Sequence, residues 1–330
     1  MTGTPPALAI IGAGAFGTAL ALVAARAGRT VTLWGRNEAA MKAMHESREN
    51  ARHLPGVALP AGIFPTSDLD RALQSRCLIL AVPTQELRGT AMRLATRLAA
   101  GTDVVAAAKG IETATGAFVT TILRETVPQA NPAILSGPSF AADIARGLPT
   151  AVTLAADDAG RAARLAAEIA GPGFRIYHSD DVRGVEIGGA AKNVLAIAAG
   201  IVTGAGLGDS ARAAVVARGF AELRRFASAF GARSETLMGL SGLGDLVLTA
   251  SSAQSRNFAF GIALGTGTSA GEAAGGKLAE GAFTARALVA MAAGKDIEMP
   301  ISAAVAAVVD GRLSVRDAIA GLIERPQKPE

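Results

Sequence analysis

Residues 8–28, LAIIGAGAFGTALALVAARAG, constrain this chain more than any other stretch, because an apolar run passes directly into a glycine-rich turn and then into a segment of small residues. Gly12, Gly14 and Gly17 have the spacing G-x-G-x-x-G, which suits a tight turn, close approach of backbone to a pyrophosphate, and close packing of a helix on a sheet. A helix starting around Ala15 to Gly17 would offer N–H groups to phosphates. A second strand over residues 30–34 follows Gly28, which suits a helix C-cap. The glycine spacing alone is a weak signal that an ordinary turn can carry. Its place between strand and helix predicts the first βα unit of a dinucleotide-binding domain.

At 330 residues the chain is long enough for two domains with their own cores. Hydrophobic residues at 50% and charged residues at 18% exclude a disordered chain. The formal net charge is +4, and the basic residues are scattered among 28 acids without forming a block, which argues against a nucleic-acid partner. Aromatic residues, at 4%, are too few for base-stacking platforms, whereas a modest positive excess suits a small anionic substrate such as a phosphorylated metabolite.

Cys77 is the single cysteine and excludes an internal disulfide framework. Its place before the apolar run 78–82 reads as a strand-edge residue in a reducing cytoplasm. MTGTPP carries no Lys or Arg before the apolar N-terminal run, so a secretion signal is not expected. Residues 187–207 are apolar enough to imitate a membrane span, but Lys192, Asn193 and repeated glycines inside them predict a buried helix. The expectation is a cytoplasmic protein without a membrane span.

Beyond the first βαβ unit, short apolar runs recur at 77–82, 103–108, 133–135 and 151–155, separated by helix-like segments. That alternation predicts a doubly wound, mostly parallel α/β sheet. Three of the runs end in polar or turn-forming residues: Val82-Pro83-Thr84, Ala108-Lys109-Gly110 and Ser136-Gly137-Pro138-Ser139. Ligands of open α/β sheets bind beyond the carboxyl ends of the strands, so these junctions are the expected rim of a site. From about residue 182 the pattern becomes helical, over 182–203, 211–230, a helix opening near Ser255, 282–293, 302–309 and 314–324. The expected domains are 1–181 and 182–330, with residues 1–6 and 325–330 as frayed ends.

Glu186, Gly189, Lys192 and Asn193 fall on roughly one face of a helix. Gly188 and Gly189 weaken that helix by about 1 kcal/mol each relative to alanine, so close approach of something planar, such as a nicotinamide ring, is a reasonable motive. Apolar surroundings would disfavour the charged form of Lys192 and bring it toward general acid–base work. Equally, Lys192 could snorkel or pair with a carboxylate such as Glu186. Lys109 ends a strand and either faces the rim or is solvated there. The loop Ser136 to Phe140 either offers N–H groups and a hydroxyl to an anion or is only a turn. Leu240 to Gly261 combines a glycine turn holding Asp245 with Ser255-Arg256-Asn257 at a helix start, which suits a phosphate or an ordinary capped surface helix. His45, His53 and His178 lie far apart without metal-ligand spacing, so no metal is expected.

Taken together, GAGAFGTALA, TLWGR, AAAKGIE, SGPSFAADIARGLPTA, EIGGAAKNVLAIAAG, GLGDLVLT and QSRN, in order over nearly the whole chain, resemble the bacterial NAD(P)-dependent glycerol-3-phosphate dehydrogenase family. The resemblance implies an N-terminal Rossmann domain, an all-α C-terminal domain of the 6-phosphogluconate-dehydrogenase-like type, and a substrate site between them. It implies hydride transfer between NADPH or NADH and dihydroxyacetone phosphate or sn-glycerol 3-phosphate, a role in making the phospholipid backbone precursor, and a homodimer. Lys192 would be the catalytic proton donor or acceptor. Lys109, Gly137, Ser139, Asp245, Ser255, Arg256 and Asn257 would hold the substrate with it. Gly12, Gly14, Ala15, Phe16, Gly17, Arg36, Ala141, Leu278 and Glu280 would hold the cofactor, with Lys109 and Arg256 shared. Ala15 stands where the family has serine, and Leu278 where valine is more usual. Because residues 30–34 lead into Gly35-Arg36 rather than an acid, NADPH should be accepted well. Two other readings keep the glycine turn: a related reductase acting on ketopantoate or an imino acid, which needs no phosphate cradle at Ser255-Arg256-Asn257, and a nucleotide sensor, which needs neither Lys192 nor Asp245.

Overall fold

A computed structural model of the chain describes residues 8–275 and 279–324. They fall into two compact units, one within residues 1–109 and 118–185, the other within residues 110–117 and 186–330. A single cut after residue 181 takes no account of residues 110–117, which group with the second unit.

The first unit is built on one eight-stranded sheet: β1 (Leu8–Ile11), β2 (Val31–Trp34), β3 (Ile63–Thr66), β4 (Cys77–Leu80), β5 (Asp103–Ala106), β6 (Asn131–Ser136), β7 (Thr150–Ala156) and β8 (Phe174–Ser179), in the order β3-β2-β1-β4-β5-β6-β7-β8. Its helices are α1 (Ala15–Arg26), α2 (Glu38–Ser47), α3 (Leu69–Leu73), α4 (Thr84–Leu94), α5 (Val119–Thr126), α6 (Ala141–Ala145) and α7 (Ala159–Ile169). Every residue of β1, β2, β4 and β5 is buried, as expected of central parallel strands covered on both faces. The order runs outward from β1 through β2 and β3, and the other way through β4, β5 and β6. That reversal beside β1 is where a ligand crevice forms in such sheets, and Gly12 directly follows β1.

Two strands carry no clear signal in the sequence. β3 contains Pro65, which cannot donate to a ladder and is tolerated because β3 is an edge. β8, with the sequence FRIYHS, is the opposite edge, and exposed polar positions dilute its apolar pattern. β7 runs antiparallel to β6, while all other pairs are parallel. The connection from β6 to β7, residues 137–149, carries only the five-residue α6 and not the longer helix that usually spans a parallel crossover.

The second unit is helical: α8 (Val182–Gly204), which begins in the first unit, then α9 (Asp209–Ala229), α10 (Ser234–Met238), a π-helical turn (Leu240–Gly244), α11 (Asp245–Thr249), α12 (Arg256–Gly265), α13 (Ala270–Ala273), α14 (Glu280–Ala293), α15 (Pro300–Val309) and α16 (Val315–Ile323). α8 is long and apolar enough to cross a membrane, but its most apolar window is wholly buried inside the protein. Gly200 and Gly204 near its end serve helix packing. A Cβ at Gly200 or Gly204 would run into the Phe258 or Ile262 carbonyl, and one at Gly261 or Gly265 into the Ile197 or Ile201 carbonyl. Backbones of α8 and α12 therefore touch along two small-residue rows.

Glu222 on α9 shows how a buried charge is used structurally. Pro300 occupies the first turn of α15, and the Glu222 carboxylate accepts from the next two N–H groups, Ile301 at 2.7 Å and Ser302 at 3.2 Å. Burial pushes this carboxyl above its ordinary value, against the opposing effect of those two donors. Glu222→Ala should cost about 1–3 kcal/mol in chemical denaturation, because it strands two buried N–H groups. For a carboxyl raised in the folded state, the associated stability is complete below the ordinary glutamate range and is lost as pH rises through the raised value. Wild type should thus gain on Glu222→Gln toward acidic pH, and a flat difference across that range would overturn the assignment.

Candidate active site

In the first unit the three glycines of the turn are there for different reasons, two of them steric. Gly12 has φ +118°, and a Cβ there would lie 2.5 Å from the Ala81 carbonyl at the end of β4. A Cβ at Gly17 would strike the Gly12 carbonyl, so α1 can close on the turn only with glycine. Gly14 is different: a Cβ would meet nothing within 4 Å. It is the N-cap of α1 without a side-chain cap, and α1 has no acidic residue in its first turn. Open space before unneutralised helix N–H groups is what a pyrophosphate needs, so this cradle fits a dinucleotide.

Around the cradle, the structure brings together residues from the carboxyl ends of neighbouring strands. The Lys109 ammonium donates to the Gly137 carbonyl at 2.7 Å and to Ser139 Oγ at 3.3 Å, and stands 5.9 Å from the centre of the Phe16 ring. Ser139 Oγ also donates to the Gly137 carbonyl at 2.8 Å. Gly137 has φ +149° and would place a Cβ 2.8 Å from Val152 Cα, so the loop after β6 needs glycine there. Ala15 and Phe16 open α1, and Ala141 opens α6. Arg36 follows β2 and pairs with Glu86 at 3.3 Å, both side chains being more than half exposed, at 74% and 54%. An exposed pair of this kind is worth about 0–1 kcal/mol, so an incoming phosphate can replace Glu86 as the partner.

In the second unit, Lys192 of α8 lies 3.0 Å from Asp245 Oδ1, with only 5% and 1% of the two side chains exposed. Glu186, the carboxylate offered as an alternative partner, is buried as well, and the ion pair seen at Lys192 is with Asp245. The glycine turn expected to hold Asp245 is a π-helical one, Leu240–Gly244, and Asp245 is its C-cap. It opens α11 directly after the π-helical turn, and its carbonyl accepts from the Thr249 hydroxyl at 2.6 Å. The reading of Gly188 as room for a planar ring is corrected: a Cβ there would lie 2.9 Å from the Ser241 carbonyl, so the glycine admits the π-helical turn.

Ser255 caps α12, its hydroxyl accepting from the Phe258 N–H at 3.3 Å, and Arg256 and Asn257 are the first two helical residues. Asn257 Nδ2 donates to Asn193 Oδ1 at 2.9 Å, and Asn257 Oδ1 accepts from the Gly281 N–H at 2.9 Å. This chain of bonds sets the start of α12 beside the turn of α8 that carries Lys192. It also sets it beside the start of α14, where Glu280 is the first residue. Arg256 is exposed. Leu278 lies outside the described residues. Sequence reasoning missed Thr249, whose hydroxyl braces the backbone of Asp245, and gave Asn193 no role beyond sharing a helix face with Lys192.

The profile described as NAD-dependent glycerol-3-phosphate dehydrogenase N-terminus matches residues 7–162, and that described as its C-terminus matches residues 181–320. The chain is 62% identical to a glycerol-3-phosphate dehydrogenase [NAD(P)+] of Azorhizobium caulinodans over 98% of each chain. It is 61% identical to one of Methylobacterium radiotolerans over 97% of each. Among solved structures, a glycerol-3-phosphate dehydrogenase of Coxiella burnetii superposes with a TM-score of 0.91 at 38% identity, covering 96% of this chain and 98% of that one. With both halves matched in order, and the cradle and the buried lysine each in its own half, this chain belongs to the NAD-dependent glycerol-3-phosphate dehydrogenase family.

Proposed function

We propose that the protein interconverts dihydroxyacetone phosphate and sn-glycerol 3-phosphate, and that the buried Lys192–Asp245 pair carries the proton chemistry. That pair is the observation on which the reading rests, because a buried ammonium held by a carboxylate is a proton donor with a fixed direction. When bound, NADPH or NADH supplies the hydride that C2 of the substrate receives. Lys192 gives a proton to the C2 oxygen as negative charge develops there, and takes it back in the oxidation. Asp245 holds the ammonium in place. Lys109, fixed by Gly137 and Ser139, adds a second cation for the substrate and the cofactor, and Ser255, Arg256 and Asn257 hold the phosphate group with the first-turn N–H groups of α12. Gly12, Gly14, Ala15, Phe16, Gly17, Arg36, Ala141, Leu278 and Glu280 hold the cofactor, with Arg256. The role is supply of the phospholipid backbone precursor by a cytoplasmic homodimer.

The test is the oxidation of NADPH and of NADH, followed by absorbance, with dihydroxyacetone phosphate in wild type and in Arg36→Glu. Wild type should turn over with both cofactors. Arg36→Glu should raise the KM for NADPH by about 10- to 100-fold, the loss expected for a charge-assisted bond to the 2′-phosphate, and change that for NADH far less. No oxidation with dihydroxyacetone phosphate would sink the activity, and equal effects on the two cofactors would sink the role of Arg36.

A further inference from the structure

The glycine turn is held from outside by a residue to which neither its spacing nor the family resemblance assigns a role. Asn50 is 3% exposed, and its Nδ2 donates to the Ala13 carbonyl at 3.0 Å, across 37 residues of sequence, and to Thr18 Oγ1 at 2.7 Å. A backbone carbonyl only accepts, so the nitrogen of the amide must face Ala13. One side chain thus grips the last carbonyl of the turn and the first turn of α1 together.

The loop that presents Asn50 is itself braced. Arg48 ends α2 in the left-handed region at φ 55°, and its guanidinium donates to the carbonyls of Leu59, Pro60 and Ile63. Leu59 N–H donates back to the Arg48 carbonyl at 2.7 Å, Gly56 N–H to Glu49 Oε1 at 2.8 Å, and Leu54 N–H to the Asn50 carbonyl at 2.8 Å. Asn50 is therefore delivered by a closed, internally bonded loop, where a residue that merely filled space would need no such bracing.

The geometry points to Asn50 as the positioning residue of the pyrophosphate turn, an inference that rests on the proposed use of a dinucleotide. In a trans peptide the C=O and the following N–H point opposite ways. With the Ala13 carbonyl drawn to Asn50, the Gly14 N–H is turned away from Asn50, and the carbonyl, which would repel a phosphate, is kept off the anion's side. An N–H fixed before the ligand arrives costs no reorganisation on binding. Asn50 does not touch the ligand. It acts through the peptide that does.

Direct binding of NADPH, read by quenching of Trp34, the single tryptophan, tests this without turnover. Asn50→Ala should weaken binding by about 5- to 100-fold, the range for losing one buried hydrogen bond that sets a donor. Should Asn50→Ala not fold, Asn50→Asp carries the same test, since it keeps the volume and can accept from the Thr18 hydroxyl in place of donating to it, but cannot donate to Ala13. Thr18→Val removes the other bond, and should lower the thermal midpoint while leaving NADPH affinity near wild type. A purely structural role predicts instead that affinity follows stability in both variants, and that pattern, or wild-type affinity in the Asn50 variants, overturns the proposal. Failure of wild type to bind NADPH would count against the cofactor reading itself and not against Asn50 alone.

Discussion

Lys192→Met should lower kcat for dihydroxyacetone phosphate reduction by about 10²- to 10⁴-fold, the span that a positioned general acid contributes. Methionine keeps the length and apolar stem of the lysine and removes only the proton and the charge. The structure adds a complication that sequence spacing does not contain. Asp245 is 1% exposed beside Lys192, and removing one partner of a buried pair costs about 3–5 kcal/mol because the other charge is left uncompensated. The single variant should accordingly melt lower as well as turn over more slowly. Lys192→Met combined with Asp245→Asn removes both charges, and should recover part of the stability while recovering none of the rate. That split separates chemistry from folding. If the double variant regained kcat along with its melting temperature, Lys192 would be a structural ion and the proton would have to come from elsewhere. Lys109→Met, by contrast, should act mainly on substrate KM, since Lys109 is anchored to Gly137 and Ser139 and in the proposed function binds without transferring a proton.

What could be read from the sequence followed from how local each determinant is. The glycine turn was legible because strand, turn and helix are contiguous over residues 8–28, and Gly12 and Gly17 answer steric demands within or near that segment while Gly14 leaves open space before the helix. The central strands were legible because burial on both faces makes them continuous apolar runs. Edge strands β3 and β8 were not, because an edge tolerates Pro65 in one case and exposed polar side chains in the other, and both erase the pattern that identifies a strand. In the site, Lys192 and Asp245 could each be picked out singly, but their pairing joins residues 53 positions apart, and no periodicity reports it. Gly188 was read as space for a ligand because sequence shows only that a side chain is missing, not what fills the room. Asn50 gave no signal at all: it is a polar residue in a polar loop, and its importance lies wholly in a fold that carries it to Ala13 and Thr18.

Arg256→Ala should lower kcat/KM for dihydroxyacetone phosphate by about 2–4 kcal/mol, while leaving the slow reduction of unphosphorylated dihydroxyacetone nearly unchanged. Arg256 is the first helical residue of α12 and is exposed, so its truncation should not disturb the fold, and the loss can be read as one of recognition. Its neighbours are already committed: the Ser255 hydroxyl caps the helix, and Asn257 is held on one side by Gly281 and on the other by Asn193. What the proposed function leaves for the phosphate is the exposed guanidinium, the group whose planar fork matches two phosphate oxygens at once. Arg256→Lys should fall between wild type and Arg256→Ala, because an ammonium restores the charge without the fork. A phosphate is remote from the reacting carbon, and binding energy taken from a remote group to orient the carbonyl shows in kcat as well as in KM. A rise in KM alone would mean that the phosphate only tethers the substrate. Because the family resemblance also places Arg256 at the cofactor, the KM for NADPH must be measured in the same variants. The decisive quantity is the ratio of kcat/KM for the phosphorylated and unphosphorylated substrates: if Arg256→Ala leaves that ratio where wild type has it, Arg256 does not read the phosphate, and the start of α12 is an ordinary capped helix.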